Sequence, residues 1–179
     1  MQRWIALFRG INVGGRNILP MAALTQELES LKLQRIRTYI QSGNVVFDTT
    51  SKNVEGLATR ITRQIEEKHG FRPHVFLLSE KGLQRAVSEN PFPEAVSDPK
   101  TLHFLFLDTP PVGPNIKALD DAKAPSEKYE ITNRVFYLHA PDGIGRSKLA
   151  RNAEKRIGVV ATARNYRTVL KLLSLASED

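Results

Sequence analysis

The stretch Arg9-Gly10-Ile11-Asn12-Val13-Gly14-Gly15-Arg16-Asn17 gathers two arginines, two asparagines and three glycines, with no acid among them. Guanidinium groups offer paired donors, asparagine amides add neutral ones, and glycines let a backbone turn its N–H groups toward a bound anion. The chemistry this predicts is anion binding, with phosphate foremost. The stretch follows the short apolar run Trp4 to Phe8 and precedes a helix that Pro20 can open, so its N–H groups lie at a helix mouth.

Three further segments carry the same kinds of group. Gln41-Ser42-Gly43-Asn44 reads as a tight turn in which glycine supplies a positive φ. Gly143, Gly145, Arg146, Ser147 and Lys148 resemble an anion nest without the spacing of a nucleotide triphosphate loop, and Ser147 is a good helix N-cap. Arg164 and Asn165 precede a last helix that Asn165 can cap. The candidate ligand-binding set is therefore Arg9, Asn12, Gly14, Gly15, Arg16, Asn17, Gln41, Ser42, Asn44, Ser147, Lys148, Arg164 and Asn165.

No catalytic signature accompanies these residues. His69, His74, His103 and His139 lack metal-ligand spacing, so no metal is expected, and no cofactor motif is present. Ser42 and Ser147 have no evident base, and the pairs Glu66-Glu67 and Asp120-Asp121 splay outward on helices. His139, just before the second glycine segment, is the one candidate base. Whether the chain is an enzyme is left open.

The elements that must position the candidates follow from periodicity. Trp4–Arg9 reads as a strand, and Met21, Leu24, Leu28 and Leu31 mark one face of a helix. Strands at 35–41 and 44–49 form a hairpin. Val54, Leu57, Ile61 and Ile65 mark a second helix stopped near Gly70, and a fourth strand runs over 73–78. Strand, helix, strand, strand, helix, strand is the order of a ferredoxin-like unit, with sheet order 4-1-3-2. In that topology the Arg9–Asn17 loop and the Gln41–Asn44 turn share one edge. A helix from Glu80 follows, broken at Pro91 and Pro93. Beyond it come a strand at 102–107, a short helix at 115–123, a hairpin over 127–139, a helix after Ser147 and a last helix with Tyr166, Val169, Leu170 and Leu173 inward. Residues 161–165 read as a connection. The fold class is α+β: a ferredoxin-like subdomain over 1–90 packed on a second α/β subdomain over 91–179, with an interface between them.

Length and composition fit a globular protein, with 179 residues, 41% hydrophobic and 25% charged. The net charge of +7 is uneven. Residues 1–43 carry six Lys/Arg against two acids and residues 144–179 eight against three, while 44–143 carry twelve against fourteen. The basic excess lies with the polar loops, which predicts a partner bearing phosphates, nucleic acid included. There is no cysteine, no signal-peptide core and no run approaching a membrane span. A cytoplasmic setting without targeting or a membrane partner is expected, and the oligomeric state is not fixed.

Leu7-Phe8-Arg9-Gly10-Ile11-Asn12-Val13-Gly14-Gly15, Tyr39 to Phe47, Ser147-Lys148-Leu149 and Ala161 to Val169 resemble, in order, the bacterial domain-of-unknown-function family numbered 1697. The resemblance implies an α+β fold with a ferredoxin-like N-terminal part and no established activity. Tyr166 stands where a tryptophan is common in that family, and keeps the aromatic contact. Three functions are open: an anion or nucleic-acid binder, an enzyme acting on a small phosphorylated substrate, and a protein-interaction module. An RNA-binding version would stack bases on Trp4 and Phe8, which share one strand face, so burial of that face decides it.

Overall fold

The computed structural model describes Met1 to Glu178, without the side chain of Glu55. The chain divides into two compact units, Met1–Arg85 joined by the C-terminal stretch from Lys171, and Ala86–Leu170. The division falls inside the last helix.

The first unit contains β1 (Gln2–Arg9), α1 (Met21–Ser30), β2 (Gln34–Tyr39), β3 (Asn44–Thr49), α2 (Val54–His69) and β4 (His74–Ser79). Its antiparallel sheet has the order β2-β3-β1-β4, the ferredoxin-like arrangement read from either edge. Ala6, Phe8, Val45 and Phe47 on one sheet face meet Leu24 and Leu28 of α1 and Leu57, Ile61 and Ile65 of α2, all buried. Trp4 packs against the same cluster, and its indole nitrogen is buried. The face holding Trp4 and Phe8 is thus covered by helices, which removes base stacking there. Ile5, Leu7 and Val46, on the opposite face, are buried too.

Two local devices terminate and start these elements. Gly70 closes α2 at φ 75°, a left-handed conformation that glycine adopts without strain, and Asn53 caps the other end by accepting from Gly56 N–H. The edge strand β2 carries an irregularity in its register between Gln34 and Arg37, with Arg35 at φ 48°. There Asp48, buried on β3, takes a hydrogen bond from Arg3 Nε at 2.9 Å and another from Arg35. Burial alone raises the carboxyl's pKa, but the Arg3 and Arg35 hydrogen bonds and charges outweigh it and hold Asp48 below the usual carboxylate range.

Beyond α3 (Glu80–Ser88), the second unit contains β5 (Leu102–Leu107), α4 (Ile116–Ala122), β6 (Lys128–Ile131), β7 (Val135–His139), α5 (Lys148–Ile157), β8 (Ala161–Asn165) and, as far as Leu170, the start of α6 (Tyr166–Ser177). The break at Pro91 and Pro93 is followed by a single 3-10 segment, Pro93–Ser97. Its sheet order is β6-β7-β5-β8, so this unit repeats the βαββαβ winding of the first. The strand β8 corrects the sequence reading of 161–165 as a connection. Ala-Thr-Ala-Arg-Asn has no apolar run to announce a strand; pairing with β5 from His103↔Asn165 to Leu107↔Ala161 makes it one. Leu105, Leu107, Phe136 and Leu138 pack on Leu119, Leu149, Ala153 and Ile157 of the two helices. The other face is aromatic, with Phe104 4.8 Å from Tyr137 and 5.5 Å from Tyr166 between ring centroids. On α6 the buried side chains are Tyr166, Val169, Leu172 and Ala176, whereas Leu170 is 40% exposed, which corrects the expected stripe.

Candidate anion-binding edge

In the first unit the loop after β1 and the turn between β2 and β3 meet, as the topology requires. Asn12 joins them. Its Nδ2 donates to Leu19 O and to Gln41 O, both at 2.8 Å, and its Oδ1 accepts from Leu19 N–H at 2.7 Å. Both amide hydrogens are spent on carbonyls, so Asn12 acts as a clamp. Asn17 closes the loop from the other side, its Nδ2 donating to Gly10 O at 2.9 Å and its carbonyl accepting from Asn12 N–H at 3.1 Å. Both asparagines stand at positive φ, 54° and 50°, the non-glycine type that tolerates it best.

The turn is seated on the same construction. Gly43, at φ 69°, has its carbonyl bonded by Phe8 N–H at 2.8 Å, and a Cβ there would lie 2.6 Å from Phe8 Cβ and 2.7 Å from Ile11 Cδ1. Only glycine fits. Asn44 is fully buried and donates to Tyr39 O at 3.2 Å and Ser42 Oγ at 2.8 Å. Gln41 is exposed, with its backbone carbonyl held by Asn12.

What this scaffold leaves at the surface is basic. Gly14, Gly15, Arg9 and Arg16 are exposed, and the glycine Cα positions face open space, with nothing within 4 Å of an added Cβ. Residues 9–20 and 40–44 contain no acid. The sequence did not distinguish the amides that tie this loop together from the groups that face outward.

The second-unit candidates gather at one end of their own sheet. Ser147 is buried and caps α5 through Ala150 N–H at 2.9 Å, with Lys148 exposed beside it. Asn165 caps α6, accepting from Thr168 N–H at 2.9 Å. Arg164 lies on the strand β8 opposite Phe104, and its Nη1 donates to Thr162 Oγ1 at 2.9 Å and Ala163 O at 2.8 Å. Burial pushes its pKa down to about 10, so the half-buried guanidinium stays charged at neutral pH. At the same end, His103 pairs in register with Asn165, and its burial lowers its pKa. His139 Nδ1 is buried without a hydrogen-bond partner among the described residues. Among the described residues, no side-chain hydroxyl is hydrogen-bonded to either ring.

An open cleft of about 500 Å³ lies elsewhere, beside β6, lined by Ile116, Asp120, Lys123, Glu127, Tyr129 and Ile131 among others. Burial and the 2.7 Å hydrogen bond to Asp120 push Tyr129 up to about 12. It includes none of the candidates and mixes both signs of charge. Among the described residues, no three His, Asp or Glu side chains assemble as a metal site.

The architecture is that of an α+β protein with two successive four-stranded antiparallel sheets of one winding. The chain belongs to DUF1697, a family of proteins of unknown function, whose model matches residues 1–137. Its structure is similar to that of the conserved bacterial protein SP0830 from Streptococcus pneumoniae, with a TM-score of 0.75 and 24% sequence identity, over 98% of this chain and 99% of that one. At that identity the likeness shows the fold alone. No curated protein matches the chain. Among the described residues, no helix is long and apolar enough to cross a membrane.

Proposed function

We propose that the loop after β1 and the β2–β3 turn form a binding edge for a phosphate-bearing anion, nucleic acid included. One observation carries the reading: Asn12 and Asn17 commit their amides to backbone carbonyls and so hold open a loop whose exposed groups are glycine backbone and arginine. A loop fixed in advance loses little entropy when it binds, and arginine gives an oxyanion two parallel donors. Arg9, Arg16 and the backbone of Gly14 and Gly15 are the ligand groups, with Gln41 beside them. Asn12, Asn17, Ser42 and Asn44 support the edge from behind. Binding is favoured over turnover of a small phosphorylated substrate because no acid, histidine or nucleophile belongs to either segment besides the Ser42 hydroxyl, which accepts from Asn44.

A thermal-shift series with inorganic phosphate, nucleotides, phosphosugars and short RNA and DNA tests this, because a ligand that binds only the folded state raises Tm. Arg16→Ala is expected to weaken binding about tenfold or more, the loss of a charge-assisted hydrogen bond, while changing stability by less than about 1 kcal/mol. For a nucleic-acid ligand the salt slope should also fall by roughly 0.7 to 0.9. If no anion in the series raises Tm, the edge is scaffolding and the reading fails.

A further inference from the structure

Besides its arginines, the first unit's edge exposes aliphatic side chains that the fold had no need to place there. Val13 is 64% exposed, Ile18 68% and Ile40 53%. Single exposed aliphatics are ordinary, but these three stand next in sequence to residues that one side chain joins. The Asn12 amide bonds Leu19 and Gln41, and Val13, Ile18 and Ile40 are the chain neighbours of Asn12, Leu19 and Gln41 respectively. Ile40 also sits at φ 49°, a conformation a β-branched residue pays strain to adopt and in which asparagine or glycine would rest easily. An outward isoleucine kept there at such a cost calls for something to cover it.

We infer that this edge docks on the surface of an anionic lipid bilayer, with Val13, Ile18 and Ile40 entering the interfacial layer and Arg9 and Arg16 lying against lipid phosphates. The inference rests on the anion reading for its arginines and adds the apolar half of the ligand. Charge complementarity selects the occupant: basic side chains with no acid in either segment face a negative surface and oppose a second copy of themselves. Shape selects it further. The loop tip is open around Gly14 and Gly15, and the three side chains are aliphatic, whereas protein hot spots favour aromatic anchors seated in pockets. A bilayer takes up protruding aliphatics without a matching pocket. Such contact is peripheral. It departs from the expectation of no membrane partner, which was drawn from the lack of a spanning segment.

Co-sedimentation of the full chain with phosphatidylglycerol vesicles, with phosphatidylcholine vesicles, and with inorganic phosphate as soluble competitor tests it. The chain is expected to bind phosphatidylglycerol and not phosphatidylcholine. The triple variant Val13→Ser, Ile18→Ser, Ile40→Asn should lose about tenfold or more of that binding, as burial of aliphatic surface is lost. Ile40→Asn alone should lower vesicle binding while leaving Tm unchanged or raised, because asparagine relieves the strained φ. Arg9→Gln with Arg16→Gln should abolish the preference for the anionic lipid. Soluble phosphates that raise Tm without any vesicle binding would overturn the lipid inference and leave the anion reading standing. Failure of both would sink both. Equal vesicle binding by the parent and the triple variant overturns the role of the aliphatics, and binding of an acidic peptide without binding of vesicles overturns the lipid inference and reassigns the edge to a protein partner.

Discussion

The two units share a winding, β2-β3-β1-β4 and β6-β7-β5-β8, yet they rigidify the connection after their first strand by opposite means. In the first unit the chain between β1 and α1 is Gly- and Asn-rich, with left-handed residues at Gly10, Asn12, Gly14, Gly15 and Asn17, and side-chain amides hold it in place. In the second unit the corresponding chain between β5 and α4 contains Pro110, Pro111 and Pro114, which preset φ and remove N–H donors. A proline loop is stiff but offers an anion few N–H groups. The glycine loop keeps its donors and needs Asn12 to be stiff. One fold therefore carries one connection that keeps its backbone donors and another that gives several up, and the difference lies in how backbone entropy is removed.

The second helix of each unit, in contrast, is treated alike. α2 and α5 are both N-capped by a polar side chain, Asn53 and Ser147, and both end on a left-handed glycine, Gly70 and Gly158. Buried carboxylates differ again. Asp48 sits between two arginines, while Glu127 in the second unit accepts from Ala124 N–H at 2.9 Å.

The largest expected effect contrasts the two hairpin turns. Gly43→Ala forces a Cβ into Phe8 and Ile11 at positive φ and should cost about 3 kcal/mol or more, whereas Asn133→Ala, at the exposed turn between β6 and β7, should cost less than about 0.5 kcal/mol. Urea unfolding followed by Trp4 fluorescence and by circular dichroism measures both, and equal costs would break the contrast.

Asp48→Asn should cost about 2 to 3 kcal/mol near neutral pH, because it leaves Arg3 without its buried counter-charge. The folded pKa of Asp48 is depressed, so its stabilisation is present above the unfolded value of about 3.9 and is lost as pH falls through the folded value. The gap between parent and variant should thus shrink in acid below about pH 4 in a denaturation series. A gap that stays constant down to pH 2 would show that the arginines do not hold the carboxylate charged.

Asn12→Ala removes three hydrogen bonds and leaves alanine at positive φ, for an expected loss of about 2 kcal/mol. Amide hydrogen exchange should quicken at Leu19 and in the turn that Asn12 holds, but not around Pro110 to Pro114. The smallest effects sharpen the likeness of the units: Asn53→Ala and Ser147→Ala should each cost about 1 kcal/mol, a lost N-cap. A cost at Ser147 several times that at Asn53 would mean that Ser147 does more than cap.

Local chemistry in the sequence determined a large part of this protein. The order of periodicities to Ser79 carried the first sheet's winding, Gly43 announced its turn, Gly70 the end of α2, and Ser147 and Asn165 their helices, because each signal acts on backbone within a few residues. Tertiary structure decided the rest. Ala161–Asn165 became a strand only through β5, some sixty residues earlier in the chain, and that pairing completed the second ferredoxin-like winding. Asn12 was legible as a polar loop residue, but its amide hydrogens could go to a ligand or to carbonyls. The choice was made by Leu19 and by Gln41, seven and 29 residues away, whose carbonyl oxygens only the folded sheet brings within hydrogen-bonding distance.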